Sequence, residues 1–335
     1  MSQLKTNSIT NIGNTGDANI VLGANGDTQV QSLNSGPLAG FRNQIINGDF
    51  RIWQRGTSIA TTALSNYTAD RWRVNGGVTG NVTQGTVNFK GNSYALEATY
   101  TAVSTGGMSQ LIELPKAGAA GPFYGTWTCS WWSNSSNFAP LLRFNDDFIN
   151  GAWTSAGTFS SPQVMETIGA WSRYSATITI TGSPATKDTF LALTLENQTA
   201  ETVSFTGVQL EPGPVATPFE HRPIGTELAL CQRYYLRYTA TASGQRLGSG
   251  MINSTTSAYM CIPMPTTMRT SPIPTFNALD LRDPDFRTIS GIAVQGSFPG
   301  SVTLSVDIVG ANTGNACHIR FANETSSHLS FSAEL

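Results

Sequence analysis

Four tryptophans, Trp127, Trp131, Trp132 and Trp153, crowd into one stretch of the chain. A flat indole can stack on the apolar face of a sugar ring while neighbouring amides and carboxylates take its hydroxyls, so all four are candidate ligand-binding residues. Side chains alternate along a strand, so Trp127, Cys129 and Trp131 share one face and Trp132 takes the other. For any single indole, core packing is the stronger expectation. The acidic groups offer less. Asp146-Asp147 reads as a solvated turn, and Asp280, Asp283 and Asp285 form a loose cluster. A glycosidase needs two carboxylates facing one scissile bond, one of them raised in pKa, and spacing alone does not exclude such a pair here. The three histidines are His221, His318 and His328. His221, in Glu220-His221-Arg222, reads as a hydrogen-bonding residue at a domain junction. There is no Gly-x-Ser-x-Gly elbow, no His-Glu-x-x-His and no phosphate loop, so no enzyme and no catalytic residue is expected.

The four cysteines, Cys129, Cys231, Cys261 and Cys317, include no Cys-x-x-Cys pair. Cys317 and His318 are adjacent and would point to opposite faces of a strand, which makes a poor metal site. Four buried, reduced thiols are expected. The Asn-x-Ser/Thr sequons, such as Asn66-Tyr67-Thr68, are read as compositional.

The elements that must position these groups are mostly strands. Tyr174, Ala176, Ile178 and Ile180 alternate with polar residues, as do Val302, Leu304, Val306 and Ile308. Leu191, Leu193 and Leu195 repeat the pattern. Between Val203 and Leu210 the apolar parity flips at Gly207, which predicts a β-bulge. Short runs split by Gly, Asn, Ser and Pro predict an antiparallel β-sandwich or jelly roll over 40–220. One helix is expected from Thr226, as its cap, to about Arg237. A second, smaller β-domain should fill 240–335. Its proline-studded run from Ile262 to Pro274 reads as an edge or connection. Residues 1–36 carry only thin apolar punctuation, at Leu4, Ile9, Ile12, Ile20 and Leu22 among others. They are read as an attachment or trimer-forming arm. The fold class is thus mainly β, with an extended arm, a sandwich, a connecting helix within 221–239 and a C-terminal β-domain.

Composition narrows the function. Charged residues are 12% of the 335, about half of the roughly 25% usual in soluble domains. Hydrophobic residues are 39% and aromatics 10%, which suits folded β-structure over disorder. The net charge is -2 and there is no basic stripe, which argues against nucleic acid as a partner. No run of 18 apolar residues is present, so no membrane insertion is expected, and the polar opening lacks a signal-peptide core. Assembly in a cytoplasm is expected.

Three stretches resemble virion proteins of tailed bacteriophages. The first is Asn43–Gly56 with Tyr67–Trp72. The second is Val208–Pro223, running into Glu227–Tyr235. The third is Pro263–Pro272. Their order is similar to tail-fibre and related receptor-binding proteins, including those of phages with cyanobacterial hosts. That resemblance implies a virion location, a homotrimer, docking to tail or adaptor proteins through 1–36, and binding of host cell-surface polysaccharide. A head fibre or capsid-decoration protein, and a polysaccharide-degrading tailspike, are the alternatives. A secreted carbohydrate-binding module is disfavoured by the polar N-terminus. The central region also resembles the jelly roll of carbohydrate-binding modules, which open on an Asn-Gly-x-Phe strand and close on one like Val208–Glu211. Such modules often hold a structural calcium. Arg51 stands here where an acid commonly sits, so calcium is left open but unsupported, and no other cofactor is expected.

Overall fold

A computed structural model describes residues 8–9, 20–22, 28–30, 41–61, 66–101, 106–115, 118, 120–145, 153–182, 184–185, 189–197, 199–322 and 327–334. The chain is mainly β, with its strands in antiparallel sheets. It divides into two units. One holds 1–49, 60–65 and 74–221, and the other holds 50–59, 66–73 and 222–335. Within 1–36, β1 (Ser8–Ile9), β2 (Ile20–Leu22) and β3 (Thr28–Val30) form a small antiparallel sheet. Ile9, Ile20 and Leu22 therefore lie on short strands, while Leu4 and Ile12 fall outside the described residues, as do Asp146 and Asp147.

Two short strands follow, β4 (Ser58–Ala60) and β5 (Trp72–Val74). The sandwich is then built from β6 (Val78–Phe89), β7 (Asn92–Tyr100), β8 (Gly107–Glu113), β9 (Gly125–Ser133), β10 (Phe138–Asn145), β11 (Thr154–Ser155), β12 (Gln163–Ile168), β13 (Trp171–Ile180), β14 (Phe190–Asn197) and β15 (Thr202–Pro212). One sheet runs β12-β13-β9-β15-β7-β6, and the other runs β11-β10-β14-β8. Tyr174, Ala176, Ile178 and Ile180 are all buried, and lie opposite Trp131, Cys129, Trp127 and Gly125 of β9. Trp131 stacks on Tyr174 at 5.8 Å within this core. The pairing of β15 with β9 slips between Thr206 and Gln209, with Gly207 at φ +61°, which is the bulge that the parity flip predicts.

The second unit begins with α1 (Ile224–Gln232), followed by β16 (Tyr235–Thr239), β17 (Arg246–Ser254), β18 (Ser257–Pro263), β19 (Ile273–Asn277), β20 (Leu279–Arg282), β21 (Phe286–Thr288), β22 (Gly291–Phe298), β23 (Ser301–Asp307), β24 (Ala316–Phe321) and β25 (His328–Ser332). Its sheets run β21-β20-β24-β17-β18-β23-β22 and β16-β25-β19. The core holds Ile252, Ile262, Leu281, Val302, Leu304, Val306, Ile319, Leu329 and Phe331. Pro274 sits on the edge strand β19, where its missing N–H costs least.

Two expectations need correction. The helix starts two residues before Thr226, on Pro223 as N-cap, and ends at Gln232. Tyr234 N–H closes the last turn on the Cys231 carbonyl, and Tyr235 then pairs with Ser332 in a sheet. Segments 50–59 and 66–73, expected in the sandwich, pack with the second unit. The reason is a buried cluster of cations, rings and carboxylates. The fully buried Arg71 lies over Tyr234 at 3.5 Å and pairs with Glu334, which Arg55 also reaches at 3.2 Å. Asp70 accepts from Gln54 N–H at 2.9 Å and lies 3.8 Å from Arg55. Burial is the largest influence on Asp70. It outweighs Arg55 and Gln54 and pushes the carboxyl up to about 6.

Candidate functional site

The turn between β6 and β7 is Lys90-Gly91, with φ +47° and +78°. Two consecutive positive φ values suit a tight hairpin and favour glycine at the second position. A Cβ on Gly91 would lie 2.8 Å from His221 Nε2, so a larger residue there would have to displace the imidazole. The turn brings Phe89 opposite Asn92, at one end of the sheet. Phe89 meets Trp132 at 5.0 Å and Trp171 at 5.1 Å, which makes a cluster of rings from three strands.

The outer face of this sheet is polar yet buried. Thr128, Ser130 and Trp132 alternate with the core face of β9, and Gln209 and Glu211 lie beside them on β15. The segment 212–221 folds back over these groups. Glu211, fully buried, accepts from Thr217 N–H at 2.8 Å, Thr217 Oγ1 at 2.6 Å and Gln209 Nε2 at 2.8 Å. Gln209 Oε1 accepts from Glu220 N–H at 2.9 Å. Glu220 in turn accepts from the backbone N–H groups of Phe41 and Asn43. The buried acceptors thus have donors, as they must away from water.

Where this strap ends, it walls a pocket of about 220 Å³ lined by Asn92, Trp132, Arg173, His221 and the Lys90–Glu166 pair, with Pro218 and Phe219 completing the wall. Lys90 Nζ and Glu166 Oε1 are 2.7 Å apart across an exposed rim. Arg173 donates to Ser130 Oγ at 3.1 Å and to the Thr217 carbonyl. Burial lowers its pKa, against the raising influence of Glu211 and Glu166. His221 Nε2 is 3.2 Å from the Lys90 carbonyl, and its Nδ1 is 3.9 Å from Asp49.

Asn92 is the group that local structure leaves over. It is 2% exposed, and among the described residues neither its amide nitrogen nor its oxygen has a hydrogen-bond partner. A buried, unsatisfied amide costs about 1–3 kcal/mol per group. Asn92 lines the pocket, and its amide carries a donor group and an acceptor that no described residue uses. A larger depression of about 600 Å³, lined by Asn137, Phe138, Val164, Tyr174 and others, has no charged side chain in its wall.

The four candidate tryptophans separate. Trp127 and Trp131 are core residues, Trp132 lines the pocket, and Trp153 is half-buried beside Arg143 at 5.7 Å, outside the pocket. Asn92, Phe89, Trp171, Glu166 and Arg173 were not foreseen. The one sequence signal for them was the Lys90-Gly91 turn.

The remaining candidates take other roles. Asp280 pairs with Arg320, and Asp283 and Asp285 both pair with Arg287. Cys129, Cys231 and Cys317 are buried, but Cys261 is exposed, because its position on β18 faces outward. Among the described residues no group of three or more His, Cys, Asp or Glu comes together to hold a metal, and no helix is long and apolar enough to cross a membrane.

No family model matches the chain, and no curated protein matches it. Remote likenesses exist among solved structures. One is a protein described as sugar-binding from Bacteroides thetaiotaomicron, 11% identical over 51% of this chain and 100% of that one, with a TM-score of 0.36. Another is the CBM22-1 xylan-binding domain of Xyn10C from Paenibacillus barcinonensis, 13% identical over 48% of this chain and 94% of that one, TM-score 0.28. The tandem CBM22 pair of the same protein is 11% identical over 82% of this chain and 95% of that one, TM-score 0.30. At these scores the likeness carries no ligand chemistry to this chain.

Proposed function

We propose that this chain is a non-enzymatic, sugar-binding structural protein of a tailed-phage virion. It would dock through 1–36, assemble as a homotrimer, and hold host surface polysaccharide in the Asn92 pocket. The observation that carries the sugar reading is the unsatisfied Asn92 amide buried beside the Trp132 ring. A sugar supplies hydroxyls for the amide, Glu166 and Arg173, while the largely buried Trp132 ring forms part of the apolar wall behind it. Among the lining residues only Glu166 bears a carboxylate, and it is tied to Lys90, which favours binding over glycoside cleavage. The virion reading rests on the phage-like stretches Asn43–Gly56, Val208–Pro223 and Pro263–Pro272. Three copies per fibre would raise weak single-site affinity by avidity.

Binding of the purified chain to host polysaccharide, compared with Trp132→Ala and Asn92→Ala, tests the sugar reading. Loss in both variants is expected, and equal binding by both would overturn it. Immunogold electron microscopy with antibody against 240–335 tests the location. Label at the tail fibres is expected, and label over the capsid would assign a decoration role. A chain lacking 1–36 should still bind cells but fail to join particles.

A further inference from the structure

The second unit carries a charged face that the sandwich pocket does not involve. Residues directly opposite in an antiparallel pair project from the same side of the sheet. Arg246 of β17 lies opposite Arg320 of β24, and Asp280 of β20 lies opposite the same Arg320. One row across, Ser249, His318, Arg282 and Phe286 follow one another over β17, β24, β20 and β21. The intervening Cys317, Ile319 and Leu281 are buried, so this row faces outward. It borders an open depression of about 500 Å³ lined by Arg246, Ser249 and His318 among others.

Placing like charges directly opposite each other costs stability. Here Arg246 faces Arg320, with Arg282 one row across opposite the neutral His318, in a chain where charged residues are only 12% of the total. Of the three arginines, only Arg320 has a carboxylate, in a two-pronged pair with Asp280 at 2.5 and 2.9 Å. Arg246 and Arg282 have no ion-pair partner among the described residues. Arg282 and Arg320 both lie on the Phe286 ring, at 4.3 and 4.2 Å, and that ring is 57% exposed. The rest of the face carries hydroxyls. Ser249 lies opposite Cys261 and then Thr303, while the exposed Tyr259 lies between Met251 and Ser305.

We propose that the outer face of β17, β20 and β24 binds an acidic polysaccharide, one carrying sulfate, phosphate or uronate groups. The anionic groups fit the Arg246–Arg282 positions, where planar guanidinium forks match sulfate, phosphate and carboxylate oxygens. The sugar rings run along the hydroxyl and aromatic surface towards Tyr259 or Phe286. His318 reports on the site. Burial first, and then the charges of Arg246, Arg282 and Arg320, lower its pKa against the opposing pull of Asp280. A bound anion offsets those charges, so it raises the histidine pKa.

The test is titration calorimetry of the full chain with dextran sulfate, polygalacturonate, neutral dextran and single-stranded DNA, at low and high salt. Dextran sulfate, polygalacturonate or both should bind, weakening as salt screens the site, and neutral dextran should not. The double variant Arg246→Ser, Arg282→Ser should lose on the order of tenfold in affinity. Asn92→Ala should leave this binding unchanged, which separates the face from the sandwich pocket. Proton NMR of the His318 ring should show its pKa rise when the polysaccharide binds. Wild-type affinity in the double variant, binding of neutral dextran at this face, or an unmoved His318 would overturn the proposal. Binding of single-stranded DNA as tight as that of the polysaccharides would overturn the glycan assignment and leave an unselective polyanion face.

Discussion

Replacing Asn92 by alanine should stabilise the free protein while weakening glycan binding in its pocket, and the opposed signs are what make the experiment informative. The side chain is 2% exposed, and neither polar atom has a partner among the described residues. Each unsatisfied group costs about 1–3 kcal/mol, so deletion relieves roughly 2–6 kcal/mol. Lost packing and the small space left behind return a few kcal/mol of that. A net gain of about 1–2 kcal/mol is expected. Urea unfolding followed by tryptophan fluorescence reads it as a midpoint rise of about 0.5–1 M, for a slope of about 2 kcal/mol per M. A bound sugar would satisfy both groups, so its loss should weaken glycan binding by about tenfold to a hundredfold. A buried amide with an ordinary structural role behaves in the opposite way. If Asn92→Ala lowers the midpoint and leaves glycan affinity intact, the reasoning from the unsatisfied amide is wrong.

Other outcomes can be checked alongside. Asp70 is raised from 3.8 to about 6, so the folded chain holds that proton more tightly than the unfolded one. Its contribution is therefore fully present below about pH 4 and falls as pH rises through 6, by about 3 kcal/mol. The pH dependence of the urea midpoint in Asp70→Asn, subtracted from wild type, should show this fall, and a flat difference would refute it. Gly91→Ala forces a side chain to φ +78° and against His221, so it should cost about 1–3 kcal/mol by the same assay. Ellman's reagent should modify one thiol quickly in the native protein, Cys261, because Cys129, Cys231 and Cys317 are buried with raised pKa values. Rapid reaction of two or more would contradict that burial.

The strands were legible wherever one face meets water and the other meets core. Alternation from Tyr174 to Ile180 and from Val302 to Ile308 gave both faces, and the flip at Gly207 gave the bulge. The end of the helix was not legible, because Tyr234, Tyr235 and Tyr238 suit a helical stripe as well as a strand. What decides is a long-range partner, since Tyr235 pairs with Ser332 and Tyr238 with Leu329 near the far end of the chain. The affinity of 50–59 and 66–73 for the second unit was hidden for the same reason, as Arg71 finds Glu334 across more than 260 residues.

The pocket was hidden at a deeper level. Its groups come from the β6–β7 turn, β9, β12, β13 and the strap after β15, and only register brings them together. Alternation does say that Trp132 points away from Trp131, but it also assigns Ser130, Gln209 and Glu211 to solvent. They are buried because 212–221 folds over them, and that segment is held in part by donating to Glu211 and Gln209 and by accepting from Arg173. The polar face and the strap therefore require each other. Without the strap, Glu211 has water. With it, Glu211 needs Thr217 and Gln209, and the strap delivers Phe219 and His221 to the pocket that Trp132 also lines. A polar stripe that reads as ordinary solvent-facing surface is the means by which the sandwich builds a wall, and the wall turns one end of an open sheet into a pocket.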